Sequence, residues 1–366
     1  MFPRNKTPVQ DCLNLHFPST GVQAIPNCTV WARVPEGPLV ENKLNSCGHR
    51  AGVECGAQSP DAYKIVLIGG SMAFGYGVAR ENTFAAELPV QLSHLTGRKV
   101  ELYNEGQLWG FGSVLNFHMR DVLAAHPSMI LWVFTPVDIT ADLPTLTDSD
   151  RAMRKSDGND AVPVQAHTSS RSNGWDVIKS AFAGRSVSEA LRKLFDDTRS
   201  MLLLRHLMYQ SQSLYVKASV SGGANEFLRA DQNPQWQTRF QHIDALAADI
   251  EGQARAAGVP VAAVLLPNRA QATLISRGDW PADIDPYKVD DQLRSIMTSH
   301  GVAYIDIMRD FRAIPNPEKD YFAVDGHPNA DGHAVISKLL AKELTNGEVP
   351  ALNPASSPLA ASMVGK

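Results

Sequence analysis

The stretch Lys64-Ile-Val-Leu-Ile-Gly-Gly-Ser-Met-Ala-Phe-Gly-Tyr-Gly-Val78 decides the fold. Its first part, Lys64 to Ile68, is short, mostly β-branched and glycine-bounded, the pattern of a strand buried on both faces of a parallel sheet. The run stops at Gly69-Gly70-Ser71, which presents a hydroxyl at the carboxyl end of that strand, where ligands of open α/β sheets collect. Glycines at 69, 70, 75 and 77 let the backbone approach a substrate closely. Ser71 therefore has two readings at this level, a cap for the next segment or a nucleophile.

Outward from this strand the chain alternates. Phe84, Leu88, Leu92 and Leu95 mark a helical face that Pro89 must kink or start. Val100 to Tyr103 reads as a strand, Val114 to Ala125 as a helix, and Met129 to Phe134 as a strand. Residues 140–235 interrupt the pattern with a polar loop, Asp148 to Asn173, and a helical region, Ser186 to Val220, an insertion placed to lid or border a site. The alternation resumes with a helix from Trp236 to Ala257, a strand from Val261 to Leu266, a helix from Val289 to His300 and a strand from Val302 to Asp306. A last helix follows Asn329, its N-cap, and buries Val335, Ile336, Leu339, Leu340 and Leu344. This order predicts an α/β fold with a parallel sheet covered on both faces. The expected organisation is a loop-rich strap over 1–60, the α/β domain over 61–346 with its insertion at 140–235, and a solvated tail over 347–366.

The 366 residues carry 34 Lys and Arg against 38 Asp and Glu, a net charge of −4, so no basic field points to nucleic acid. No stretch approaches the ~18 apolar residues of a transmembrane helix, and no apolar signal core follows Met1. All four cysteines, Cys12, Cys28, Cys47 and Cys55, fall in the strap. Two disulfides formed in an oxidising compartment, periplasmic or extracellular, account for that placement. A zinc site and free thiols are the alternatives, although no CxxC pair is present.

A second polar cluster, Val324-Asp-Gly-His-Pro-Asn-Ala-Asp-Gly-His333, lies between the last strand and the last helix. A serine hydroxyl is a poor nucleophile at neutral pH and requires a base; His327 supplies one if this loop folds back over the sheet edge. Asp325 would then hold the other imidazole nitrogen and stabilise the imidazolium. The structural readings stand beside these. His327 would bond a loop carbonyl, Asp325 would serve the turn before Gly326, Asp138 would cap a helix or anchor a loop, and His333 would sit in the first turn of the last helix. Asp325, His327, Asp331 and His333 also form a run of metal-ligand types, with no second cluster elsewhere to complete a site.

In this order the chain resembles the SGNH hydrolases, or GDSL-type esterases, from about Lys64 to Leu344. Gly69-Gly70-Ser71 resembles the family's Gly-Asp-Ser block and Asn104-Glu-Gly-Gln-Leu-Trp-Gly110 its glycine block. Thr135-Pro-Val-Asp138 occupies the place of Gly-x-Asn-Asp, and Asp325-Gly-His327 that of the Asp/His block. The resemblance implies a flavodoxin-like three-layer α/β/α sandwich and a Ser71, His327, Asp325 triad that hydrolyses esters or transfers acyl groups without a cofactor. It also implies an oxyanion hole made by the amides of Ser71 and Gly110, with Gly106 as the alternative. Three positions depart from the pattern: Gly70 replaces the aspartate, Val324 stands three residues before the histidine, and Val137 replaces the asparagine that helps hold the oxyanion. The expected partner is a small-molecule or carbohydrate ester, such as an O-acetyl sugar. The competing expectation is a carbohydrate-binding or scaffold module that kept the fold and lost part of its site.

Overall fold

The computed structural model describes residues 24–57, 59–108, 113–140, 199–221 and 223–354. Its centre is β3 (Tyr63–Gly69), in which Ile65 and Leu67 are fully buried and Val66 and Ile68 nearly so. This strand pairs in parallel with β4 (Val100–Asn104) on one side and with β5 (Met129–Phe134) on the other. β5 pairs with β6 (Val261–Leu265), and β6 with the two-residue β7 (Ala303–Tyr304). The resulting order, β4-β3-β5-β6-β7, is that of a flavodoxin-like doubly wound sheet. Strand positions follow the sequence expectation, but β7 is shorter than Val302 to Asp306, because only Ala303 and Tyr304 pair with β6.

The chain leaves β3 toward β4 and then returns past β3 to β5. Right-handed crossovers in opposite directions place the connecting helices on opposite faces of the sheet. After β3 come the four-residue α1 (Ser71–Phe74) and then α2 (Phe84–Thr96), which Pro89 does not start, since it lies in the helix interior. α3 (Ser113–Ala124) joins β4 to β5, and the short α4 (Pro136–Thr140) follows β5. α5 (Arg199–Tyr209) and α6 (Gln212–Ser221) are the described part of the helical insertion, whereas the polar loop from Asp148 to Asn173 falls outside the described residues.

α7 (Pro234–Ala256) starts at the N-cap Asn233 and packs against α3 and α9 (Lys288–Ser299). α10 (Ala330–Leu344) is capped by Asn329, whose side chain accepts from Gly332 N at 3.0 Å, and packs against α2. Between β6 and α9 lies α8 (Arg269–Arg277), which the sequence reading does not contain. It begins with a capping box in which Asn268 Oδ1 accepts from Gln271 N at 2.9 Å while Gln271 Oε1 accepts from Asn268 N at 3.3 Å.

The strap is more ordered than its composition suggests. β1 (Thr29–Ala32) and β2 (Val40–Lys43) form an antiparallel pair, and Ala24, Val30, Ala32 and Leu44 pack on Phe74 of α1 in a small second core. Two of the strap's polar side chains, Asn45 and His49, reach Tyr103 Oη at 2.8 and 3.1 Å. Cys47 is bonded to Cys55, with Cα atoms 5.8 Å apart. Cys28 is disulfide-bonded as well, and none of the described cysteines is free.

Candidate active site

Ser71 is the first residue of α1 and follows Gly70, whose backbone is extended (φ −83°, ψ −152°). The first amides of a helix have no intrahelical partner, so the Ser71 N–H is free to face a ligand at the carboxyl end of β3. The turn is closed by Gly75 in the left-handed region at φ 81°, whose amide caps the Met72 and Ser71 carbonyls.

The loop Phe322–His327 reaches over this edge of the sheet. It folds back on itself: Phe322 N donates to His327 O at 2.9 Å, and Gly326, at φ 86°, donates to Phe322 O at 3.0 Å. His327 Nε2 lies 2.7 Å from Ser71 Oγ, and His327 Nδ1 lies 2.6 Å from Asp325 Oδ1. A carboxylate only accepts, so Nδ1 carries the proton toward Asp325 and Nε2 is left to accept from the Ser71 hydroxyl. The same Asp325 oxygen accepts from His327 N at 3.3 Å, and Tyr76 stands edge-on to the imidazole at 5.3 Å. All three groups are partly accessible, which leaves the hydroxyl open to a substrate.

The glycine block is fastened to the same edge. Gln107 N donates to Gly69 O at 2.9 Å, and Asn104 Nδ2 donates to Ala73 O inside α1 at 2.8 Å. Asn104 Oδ1 accepts from Gly106 N at 2.8 Å, which commits the Gly106 amide and removes it as a free oxyanion donor. Gly106 packs so closely on α1 that an added Cβ would meet Phe74 N at 2.6 Å. Gly110, with Gly112, lies outside the described residues.

The third block explains Gly70. Val137 is 63 % exposed, and its side chain carries no amide. Asp138 turns inward instead. Its Oδ2 accepts from Thr135 N at 2.8 Å and from Thr135 Oγ1 at 2.6 Å, and its Oδ1 lies where a side chain at residue 70 would begin, 2.4 Å from an added Cβ. Since the Gly70 backbone is one any residue adopts, space and not φ requires glycine there. Burial pushes the Asp138 carboxyl up to about 6, against the opposing pull of its Thr135 bonds and the His327 charge.

Two further buried groups border the site. Glu105, within the glycine block, is driven by burial, and then by Asp121, to about 8, and its Oε2 has no hydrogen-bond partner among the described residues. His333 is in the α2–α10 contact, where its Nδ1 accepts from Phe84 N at 3.2 Å and its ring stacks on Phe84. Burial holds it down to about 3, so it stays neutral. Nothing in the sequence separates these two buried groups from surface ones; the insertion of Asn104 and Asp138 into hydrogen-bond networks around α1 is equally silent there, although both lie in the quoted blocks.

A family model described as the GDSL-like lipase/acylhydrolase family matches residues 139–335, which include Asp325 and His327 and begin after Ser71. Among solved structures the chain is similar to TesA, at 10% identity over 77% of this chain and 97% of that one, with a TM-score of 0.38. It is similar to a putative SGNH hydrolase from Slackia heliotrinireducens at 12% identity, 77% and 99% coverage and a TM-score of 0.34. For the lipase/acylhydrolase from Enterococcus faecalis the values are 14%, 77%, 94% and 0.33. No curated protein matches the chain.

Proposed function

The chain belongs to the GDSL-like lipase/acylhydrolase family, and from that premise we propose that it is a serine esterase or O-acyltransferase working through Ser71, His327 and Asp325. In this reading Ser71 Oγ attacks an ester carbonyl as His327 Nε2 takes its proton. Asp325 holds the imidazole in the tautomer that makes this transfer possible and stabilises the imidazolium. His327 then protonates the departing alkoxide, leaving an acyl group on Ser71. Water, or a hydroxyl acceptor such as a sugar, attacks that acyl-enzyme with His327 again as base, and Ser71 is restored.

The observation carrying the proposal is the pair of contacts on His327, one of 2.7 Å to Ser71, 256 positions away in the chain, and one of 2.6 Å to Asp325. The Ser71 amide at the start of α1 is the proposed oxyanion donor, and the amide of Gly110, outside the described residues, is the second donor that the glycine block leads us to expect. With valine at 137, no side-chain amide from the third block joins them. Loss of one such donor typically costs ~10²–10³ in rate, so turnover should be slow beside a complete hole. The disulfide-bonded strap supports an extracytoplasmic setting, where O-acetylated carbohydrate is the proposed substrate class.

The test is turnover of 4-nitrophenyl acetate by the protein and by Ser71→Ala. The proposal expects hydrolysis that the alanine variant abolishes; equal turnover by both overturns the serine mechanism. Val137 favours one rival, a binding or scaffold module, and absence of turnover by either protein supports that rival.

A further inference from the structure

We propose that the N-terminal strap is part of the catalytic apparatus, with Glu36 as the positioning residue that sets Asp325 behind His327. The inference rests on the triad reading above. Glu36 lies in the connection between β1 and β2, 289 residues before Asp325, yet its Oε1 accepts from Val324 N at 2.5 Å and from Asp325 N at 3.0 Å. One carboxylate oxygen thus fixes the backbone of the residue whose side chain orients the imidazole. Its other oxygen, Oε2, is buried without a hydrogen-bond partner among the described residues, with the Arg269 charge near the carboxylate. A buried oxygen left without a hydrogen bond is costly, and a strap needed only for packing would not require a carboxylate here.

The rest of the loop is held from the same side. Arg269 at the start of α8 donates to Ala323 O at 2.5 Å and to Tyr209 O at 2.6 Å, so the residue before Val324 is anchored to the helical insertion. Val34, fully buried in the strap, lies with Phe322 against Gly37 and Gly77. The strap also holds the nucleophile's turn. Arg50, buried inside the Cys47–Cys55 loop, donates to Gly75 O at 2.8 Å, Val78 O at 2.7 Å and Phe74 O at 3.2 Å. Phe74 O and Gly75 O are at the end of the helix that begins with Ser71, the end at which a cation is favoured, and Val78 O is in the loop that follows it. The strap therefore grips both halves of the triad, Ser71 from behind its helix and Asp325 through its amide. The geometry that sets their separation passes through residues outside the α/β body.

The experiment compares kcat and KM for 4-nitrophenyl acetate in the full chain and in Glu36→Ala, Glu36→Gln, Glu36→Asp and Ser71→Ala, with near-UV circular dichroism to check folding. Misplaced catalytic groups lower kcat and leave uniform binding unchanged. Glu36→Ala should lose about 10- to 100-fold in kcat with KM nearly unchanged, since small displacements carry penalties of that order. Glu36→Gln, which keeps an accepting oxygen at the same reach, should recover most of the activity. Glu36→Asp, charged but one methylene too short, should resemble Glu36→Ala and serves as the deciding variant if the alanine protein does not fold. Full activity in Glu36→Asp, or equal losses in Glu36→Gln and Glu36→Asp, overturns the proposal while an inactive Ser71→Ala leaves the triad standing. An active Ser71→Ala overturns the triad itself.

Discussion

Gly70→Asp would restore the aspartate of the Gly-Asp-Ser block, and the structure expects it to harm the protein. A Cβ at residue 70 would stand 2.4 Å from Asp138 Oδ1 and 3.2 Å from its Cγ, so Asp138 must leave its seat. Leaving breaks the bonds from Thr135 N and Thr135 Oγ1, at 2.8 and 2.6 Å. At roughly 1–3 kcal/mol for each buried partner left unmade, the steric part alone costs about 3–4 kcal/mol. Two carboxylates then share one pocket, a repulsion felt once Asp138 ionises, and burial has raised that ionisation to about 6. Urea unfolding of the wild type, Gly70→Ala, Gly70→Asp, Asp138→Ala and the two double variants, at pH 5 and pH 8, separates these contributions. Gly70→Ala should lose about 3 kcal/mol at both pH values, from the clash alone. Gly70→Asp should lose more at pH 8 than at pH 5, and adding Asp138→Ala should return at least ~2 kcal/mol in either background, the signature of directly coupled sites. Additive losses, or a Gly70→Asp protein as stable as the wild type, would refute the idea that Asp138 occupies the missing side chain's place.

Glu105 makes stability depend on pH. Its folded value of about 8 stands above its ordinary 4.5, so its contribution is complete below pH 4.5 and is lost as pH rises through 8, by roughly 5 kcal/mol at most. Glu105→Gln should flatten this decline in urea midpoints measured from pH 5 to 8.5, and an unchanged decline would contradict it. His333, held at about 3, acts in the opposite direction as pH falls below 6.5, which is why the comparison is made with the variant and not on the wild type alone. Opening the Cys47–Cys55 bridge with Cys47→Ser and Cys55→Ser together should cost about 2.5 kcal/mol for so short a loop. Part of the loss should appear as reduced kcat, because Arg50 lies inside that loop; a destabilised protein with undiminished kcat would show that the loop serves stability only.

The sheet was legible because buried parallel strands such as Tyr63–Gly69 and Met129–Phe134 are continuous apolar runs between turn residues, and few other structures accommodate them. α10 announced itself by Asn329, which caps it as its chemistry suggests. α8 did not, since Arg269, Gln271 and Thr273 look like surface residues in sequence and are buried in the fold, where Arg269 meets the carbonyls of Tyr209, Glu318 and Ala323. The pairing of Ser71 with His327 could be framed from the order of four short blocks. The partners of each block could not. Gly70 and Asp138 fit together only in space, and Val137 faces solvent for reasons set by the register of α4. The strap was the least legible part, because its two short strands are stabilised by packing on Phe74 and its role depends on Glu36 and Arg50 meeting backbone groups far along the chain.

The central claim is that Ser71 is a nucleophile made reactive by His327, and covalent labelling tests it most directly. Incubation with diisopropyl fluorophosphate, followed by mass spectrometry of the digested protein, should place one diisopropylphosphoryl group on the peptide carrying Ser71. Labelling should vanish in Ser71→Ala and slow sharply in His327→Ala. A label on another residue, or the same labelling rate without the imidazole, would contradict the account.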